Sequence, residues 1–217
     1  FNALSQRVNN AAEGWHKWRR VLGSVRNILL VVAFATRGLT QAFDKAFKAT
    51  VRLEAAMRGL SSVAVNMGIA STEAKDAAMS LAKDGLLTVE EAAAGLKNLL
   101  ATGMGMQEAT QMMQTFTDAA AFNRQGTLGL GEAVVGATQG IKNQNSIMVD
   151  NAGITKNLSI MQKEYAAAIG TTIGKLTEQE KKQAIINGVL REGALFAGDS
   201  QKVLTTLSGT MAQLAAQ

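Results

Sequence analysis

The chain has 217 residues, 47% of them hydrophobic and only 18% charged, with no Pro, no Cys, one His and a net charge of +5. The absence of cysteine excludes a disulfide framework, a thiol nucleophile and any Cys-bearing zinc or iron–sulfur site, and a single His excludes chemistry that needs two imidazoles. The length accommodates one large or two small domains with ample core.

The sequence starts at Phe1 rather than Met and reads as a piece of something longer. Its charged share lies below the usual quarter or so, which suits a surface covered by other protein or by lipid. An ordinary Ala-rich helical domain is the plainer alternative. Charge is also uneven along the chain. Residues 1–60 hold ten Lys and Arg against Glu13, Asp44 and Glu54, whereas the remainder is mildly acidic.

From the start, apolar or small residues recur at spacings of three and four: Phe1, Leu4, Val8, Ala11, Trp15, Trp18, Leu22, Val25, Leu29, Val32. The series runs on through Thr36, Leu39, Phe43, Ala46, Thr50, Leu53, Met57, Leu60 and Ala64 without a phase break. A period of 3.5 sustained this long predicts a coiled-coil seam, through which copies of the chain associate. Thr36, Thr50 and Gly14, Gly23, Gly38 and Gly59 make the seam imperfect, and two or three shorter amphipathic helices fit the same residues. Outside the seam stand His16, Lys17, Arg20, Arg37, Lys45, Lys48, Arg52 and Arg58, a basic face that calls for a negative partner.

Residues 28–35 are apolar all round, which predicts enclosure by protein or lipid. Eight residues fall well short of the ~20 that a bilayer span needs. No secretory signal is read at the start. The cluster Trp15-His16-Lys17-Trp18-Arg19-Arg20 fits a membrane-interface anchor or phosphate contact, or two seam tryptophans beside a solvated basic face.

Asn66-Met67-Gly68 ends this register. Ser71-Thr72 opens a helix to about Lys83, stopped by Asp84-Gly85. Thr88-Val-Glu-Glu91 is a capping box heading a helix to about Ala101, with Gly103 just past its end. The next helix, from Gln107 to Asn123, has Ala109, Met112, Met113, Phe116 and Ala120 on one face. Gln125 to Gly131 is expected as a flexible connection before a helix over Glu132–Ile141, and Lys142 to Gly153 as polar turn. Leu158–Gly170 reads as helix. Thr177-Glu-Gln-Glu180 is a second capping box, with a helix to about Ala197, and Asp199-Ser200 opens a last one. The expectation is an all-α chain. A long amphipathic, coiled-coil-like helical segment over 1–66 precedes a compact multi-helix domain over 67–217.

No chemical constellation accompanies these elements. Gly126, Gly129 and Gly131 lack the spacing and the preceding strand of a dinucleotide loop, and there is no Walker loop, H-E-x-x-H or calcium loop. His16 has no carboxylate near in sequence to orient it. The acid pairs Glu90-Glu91 and Glu178/Glu180 fall in first helical turns, where capping and the helix dipole account for them. Ten Met suggest adaptable packing. The expectation is a non-enzyme without cofactor or metal.

Over residues 84–197 the wording itself is informative. Asn151-Ala-Gly-Ile154 is followed by Asn157-Leu158, Tyr165-Ala, Ile169-Gly170, Leu176-Thr177, Glu180-Lys181 and Ala184-Ile185-Ile186. In this order the pieces resemble the core region of tail tape measure proteins of tailed bacteriophages. The resemblance implies a long helical virion protein in several copies, as a trimer or hexamer, in the tail tube lumen or tail tip. It would be made in the host cytoplasm, contact tail tube and tail tip or baseplate proteins, set tail length during assembly and leave ahead of the genome. Transient host membrane contact is implied, and nucleic acid only as a neighbour. The resemblance carries over no catalytic residue. Two other classes fit parts of the sequence: a membrane-active or pore-forming helical protein, and a basic nucleic-acid-binding scaffold.

Overall fold

A computed structural model of the chain describes residues 47–206. Two compact units divide the chain, 1–51 and 52–217. Of the first, residues 47–51 are described, and they are helical and largely exposed. The seam residues Trp15, Trp18, Leu22, Val25, Leu29, Val32, Leu39 and Phe43 and the basic Lys17, Arg20, Arg37 and Lys45 lie outside the described residues.

The second unit is built from helices alone among the described residues. It opens with helical residues 52–66 (α1), which end at a Schellman turn. Gly68 stands at φ 75°, its N–H bonds the Val65 carbonyl at 3.0 Å, and the Ile69 N–H reaches Ala64 at 2.9 Å. Then follow α2 (Ser71–Leu81), α3 (Val89–Leu100), α4 (Met106–Asn123), α5 (Leu130–Lys142), α6 (Ser146–Asp150), α7 (Leu158–Ala168), α8 (Glu178–Gly193) and α9 (Asp199–Leu204). Short 3-10 turns stand at Ile173–Lys175 and Ala194–Phe196.

α4 is the hub. Its buried residues (Ala109, Met112, Met113, Phe116, Thr117, Ala119, Ala120, Ala121) spread over a wide arc, because small Ala and flexible Met let several neighbours approach. α2, α3, α5, α8 and α9 all pack on it. Phe116 is wholly enclosed, and burial of such a side chain stabilises by roughly 1.5–3 kcal/mol. α3 lies between α2 and α5, α6 folds back on α5, and α7 pairs with α8. One buried polar contact crosses the core: the Asn98 amide donates to the Thr138 hydroxyl at 3.2 Å, and that hydroxyl donates to the Val135 carbonyl at 2.7 Å. Both groups are satisfied, as burial requires.

Both capping boxes are present. Glu91 N donates to the Thr88 hydroxyl at 3.1 Å, and Thr88 N to the Glu91 carboxylate at 2.9 Å. At the head of α8 the same exchange joins Thr177 and Glu180, at 3.2 and 2.7 Å.

Leu60 and Ala64, the last members of the periodic series, are fully buried in the core of the second unit. Three features differ from the sequence expectation. The stretch expected as turn at 142–153 contains α6, headed by Asn145, whose side chain accepts from Ile147 N and Met148 N, and anchored by buried Val149. The connection at 125–131 is held rather than loose. The Arg124 guanidinium donates to the Ala120, Ala121 and Leu128 carbonyls, so it closes α4 and ties down the loop together. Finally, α8 stops at Gly193, where the backbone tightens into a 3-10 turn.

Candidate functional site

Leu53, Met57 and Leu60 are the described members of the expected self-association seam, and they have three different fates. Leu53 is 38% exposed, Met57 is half-buried against the unit's core, and Leu60 is fully buried in it. Leu60 thus packs within its own chain. Of the expected basic face, Lys48, Arg52 and Arg58 are exposed, and Arg58 pairs with Glu54 one turn earlier at 2.6 Å. A solvated pair of this kind contributes little.

The paired acids do structural work. Glu91 closes its capping box and lies directly over Gly131, which leaves no room there for a Cβ. Glu178 pairs with Lys181 at 2.8 Å, and that contact holds its carboxyl below the usual range. Glu180 is likewise held down by the Thr177 N–H and hydroxyl that donate to it.

Several of the sequence pieces between 151 and 186 turn the chain, cap helices or fill the core, while Ile169 is 49% exposed. Gly153 stands at φ 89°, and a Cβ there would lie 2.5 Å from Asn123 Cβ and 2.7 Å from Asn123 O. Ala152 and Ile154 on either side are buried. Asn157 caps α7, accepting from Ser159 N at 2.9 Å, and Leu158 follows it into the core. Gly170 forms the Schellman turn that ends α7, with Thr171 N bonding Ala166 O at 2.8 Å. Leu176, Ala184, Ile185 and Ile186 are buried.

Between these pieces lies the densest charge cluster among the described residues. Lys156 Nζ stands 2.7 Å from Glu164 and 3.0 Å from Glu192, and Arg191 bonds Glu164 and approaches Glu192 at 3.5 Å. The cluster ties the segment before α7 to both α7 and α8. Hydrogen bonds from Lys156 and then Arg191 hold the Glu164 carboxyl below its ordinary range. Glu164 and then Glu192 hold the Lys156 ammonium above its own. Two cations and two anions thus neutralise one another and present no net charge to a ligand.

Two anchoring residues stand outside the sequence expectation. Asp118, on α4, caps α9 from the far side of the chain, accepting from Gly198 N at 3.1 Å and Ser200 N at 3.2 Å. Arg124 closes α4 as described. Arg124 is the C-cap residue of α4 and bonds partners three and four residues away, whereas Asp118 lies some 80 residues from its partners, so only the tertiary fold reveals its role.

His16, the chain's single imidazole, lies outside the described residues, and among the described residues no group of three His, Asp or Glu could hold a metal ion. No described helix is long and apolar enough to cross a membrane. Chemically, the arrangement braces helices. Comparison with family models, curated proteins and solved structures finds no match to this chain.

Proposed function

We propose that this chain is part of a tail tape measure protein of a tailed bacteriophage, acting in tail assembly and genome ejection. The observation that carries the reading is the ordered set of pieces between Asp84 and Ala197, from Asn151-Ala-Gly-Ile154 to Ala184-Ile185-Ile186. Several of them, among them Gly153, Asn157, Gly170 and Ile185, cap, turn or fill the core, which supports a structural rather than a chemical role. The all-helical character of the second unit's described residues and the charge-poor composition are in keeping with a helical protein enclosed by others.

In this reading the chain works by occupying length and by leaving on cue, with no reaction and no cofactor of its own. Its partners are further copies of itself, as a trimer or hexamer, and the tail tube and tail tip or baseplate proteins. It resides in the tail lumen or tip after synthesis in the host cytoplasm. The basic face of residues 17–58 would face an acidic tube wall.

The experiment is peptide mass spectrometry on purified particles of the phage that encodes the chain, before and after triggered ejection. Peptides from residues 84–197 are expected in intact particles and depleted from emptied ones. Their absence from intact particles refutes the reading. Vesicle binding without virion incorporation would favour the membrane-active class, and salt-sensitive DNA binding the nucleic-acid scaffold.

A further inference from the structure

α9 has six residues, too few to hold a helix in water by its own hydrogen bonds. Ser200 and Val203 are its buried residues, and Leu204 is half-buried against the core. Its N-cap position is Gly198, which has no side chain to meet the free N–H groups of the first turn. Asp118 meets them instead. One carboxylate accepts from the Gly198 N–H, the Ser200 N–H and the Ser200 hydroxyl, and all three contacts join α4 to α9.

The turn that leads into α9 is open. Gly198 stands at φ 81° with nothing within 4 Å of the place a Cβ would take. Two grooves border the α4–α9 contact, one by the start of α9 and one by its end. One of about 250 Å³ is lined by Ser80, Asp84, Gln114 and Asp118 with Gly198 and Ser200. The other, of about 320 Å³, is lined by Ala121, Phe122 and Arg124 with Val203 and Thr206. The core of the unit has no such dependence on one side chain: Leu96, Leu99, Met112, Phe116 and Val134 are all fully enclosed.

We propose that residues 198–204 are a strap latched onto α4 by Asp118, opening and reclosing while the rest of the unit stays folded. Opening turns about Gly198, withdraws Val203, and merges the two grooves into one surface along α4 that includes Phe122, already 54% exposed. α9 is short and rests on α4 through Ser200, Val203 and Leu204, and short elements open at lower free energy than the core they rest on.

Amide hydrogen exchange on the whole chain tests this. In Asp118→Ala, exchange at 199–204 is expected to quicken about tenfold or more, since hydrogen bonds to a charged acceptor are lost. Exchange in α3 and α5 is expected to stay unchanged. Unchanged rates at 199–204, equal acceleration in α3 and α5, or failure of the variant to fold would each overturn the latch. The unaltered chain provides a second measurement at low denaturant. There, 199–204 should exchange through an opening with weak denaturant dependence, and 96–99 only through global unfolding. One shared dependence would overturn the proposal.

Discussion

Replacing Gly153 by Ala separates backbone strain from close approach, because a second glycine supplies the control. Gly153 and Gly170 both stand at positive φ, 89° and 72°. An L side chain in that region costs about 1–2 kcal/mol, offset by about 0.4–1 kcal/mol from the less flexible unfolded chain. At Gly170 nothing lies within 4 Å of the new Cβ, so Gly170→Ala should cost about 1 kcal/mol. At Gly153 the new methyl would also lie 2.5 Å from Asn123 Cβ and 2.7 Å from Asn123 O. Asn123 is the last residue of α4, and its backbone cannot yield without moving the hub. Overlap of this kind adds about 1–3 kcal/mol, giving about 2–4 kcal/mol for Gly153→Ala. For a unit of this size that lowers the melting temperature by roughly 5–15 °C. Thermal and urea unfolding followed by circular dichroism would read both variants. Equal destabilisation by the two substitutions would refute the claim that the 151–154 turn is fixed by contact with α4.

Thr88→Ala and Thr177→Ala should each cost about 0.5–2 kcal/mol in urea unfolding; no loss from either would deny the capping boxes their role. Gln144 holds positive φ (52°) in the Schellman turn after α5, where Asn145 N bonds Gly140 O, so Gln144→Gly should stabilise by up to about 1 kcal/mol. A lower melting temperature would contradict that assignment. The Glu164 carboxyl is held below its ordinary 4.5 in the folded chain, so its contribution is complete above that value and lost as pH falls through the folded value. Glu164→Gln should therefore flatten the fall in stability below about pH 4.5, and an unaltered acid limb would remove the ion cluster from the account.

What the sequence made legible was local. The apolar face of α4 and the boxes at Thr88 and Thr177 are written within a few residues, because one helical turn brings their partners together. The cap at Asn145-Ser146 was also local, and it passed for turn because the helix it heads is only five residues long. Asp118 with Ser200, and Lys156 with Glu164 and Glu192, were not legible: partners on different elements leave no period to read. Leu60 shows a further limit. A heptad position states that a side chain will be buried, and the same spacing serves a neighbouring copy or the chain's own core.

The ruler reading stands or falls on length. In-frame deletions in helical stretches of the gene encoding this chain, with tails measured by electron microscopy, test it most directly. An extended helix advances about 1.5 Å per residue, so a fully helical ruler predicts tails shorter by about that amount for each residue removed. Tails of unchanged length from particles that carry the shortened protein would contradict it.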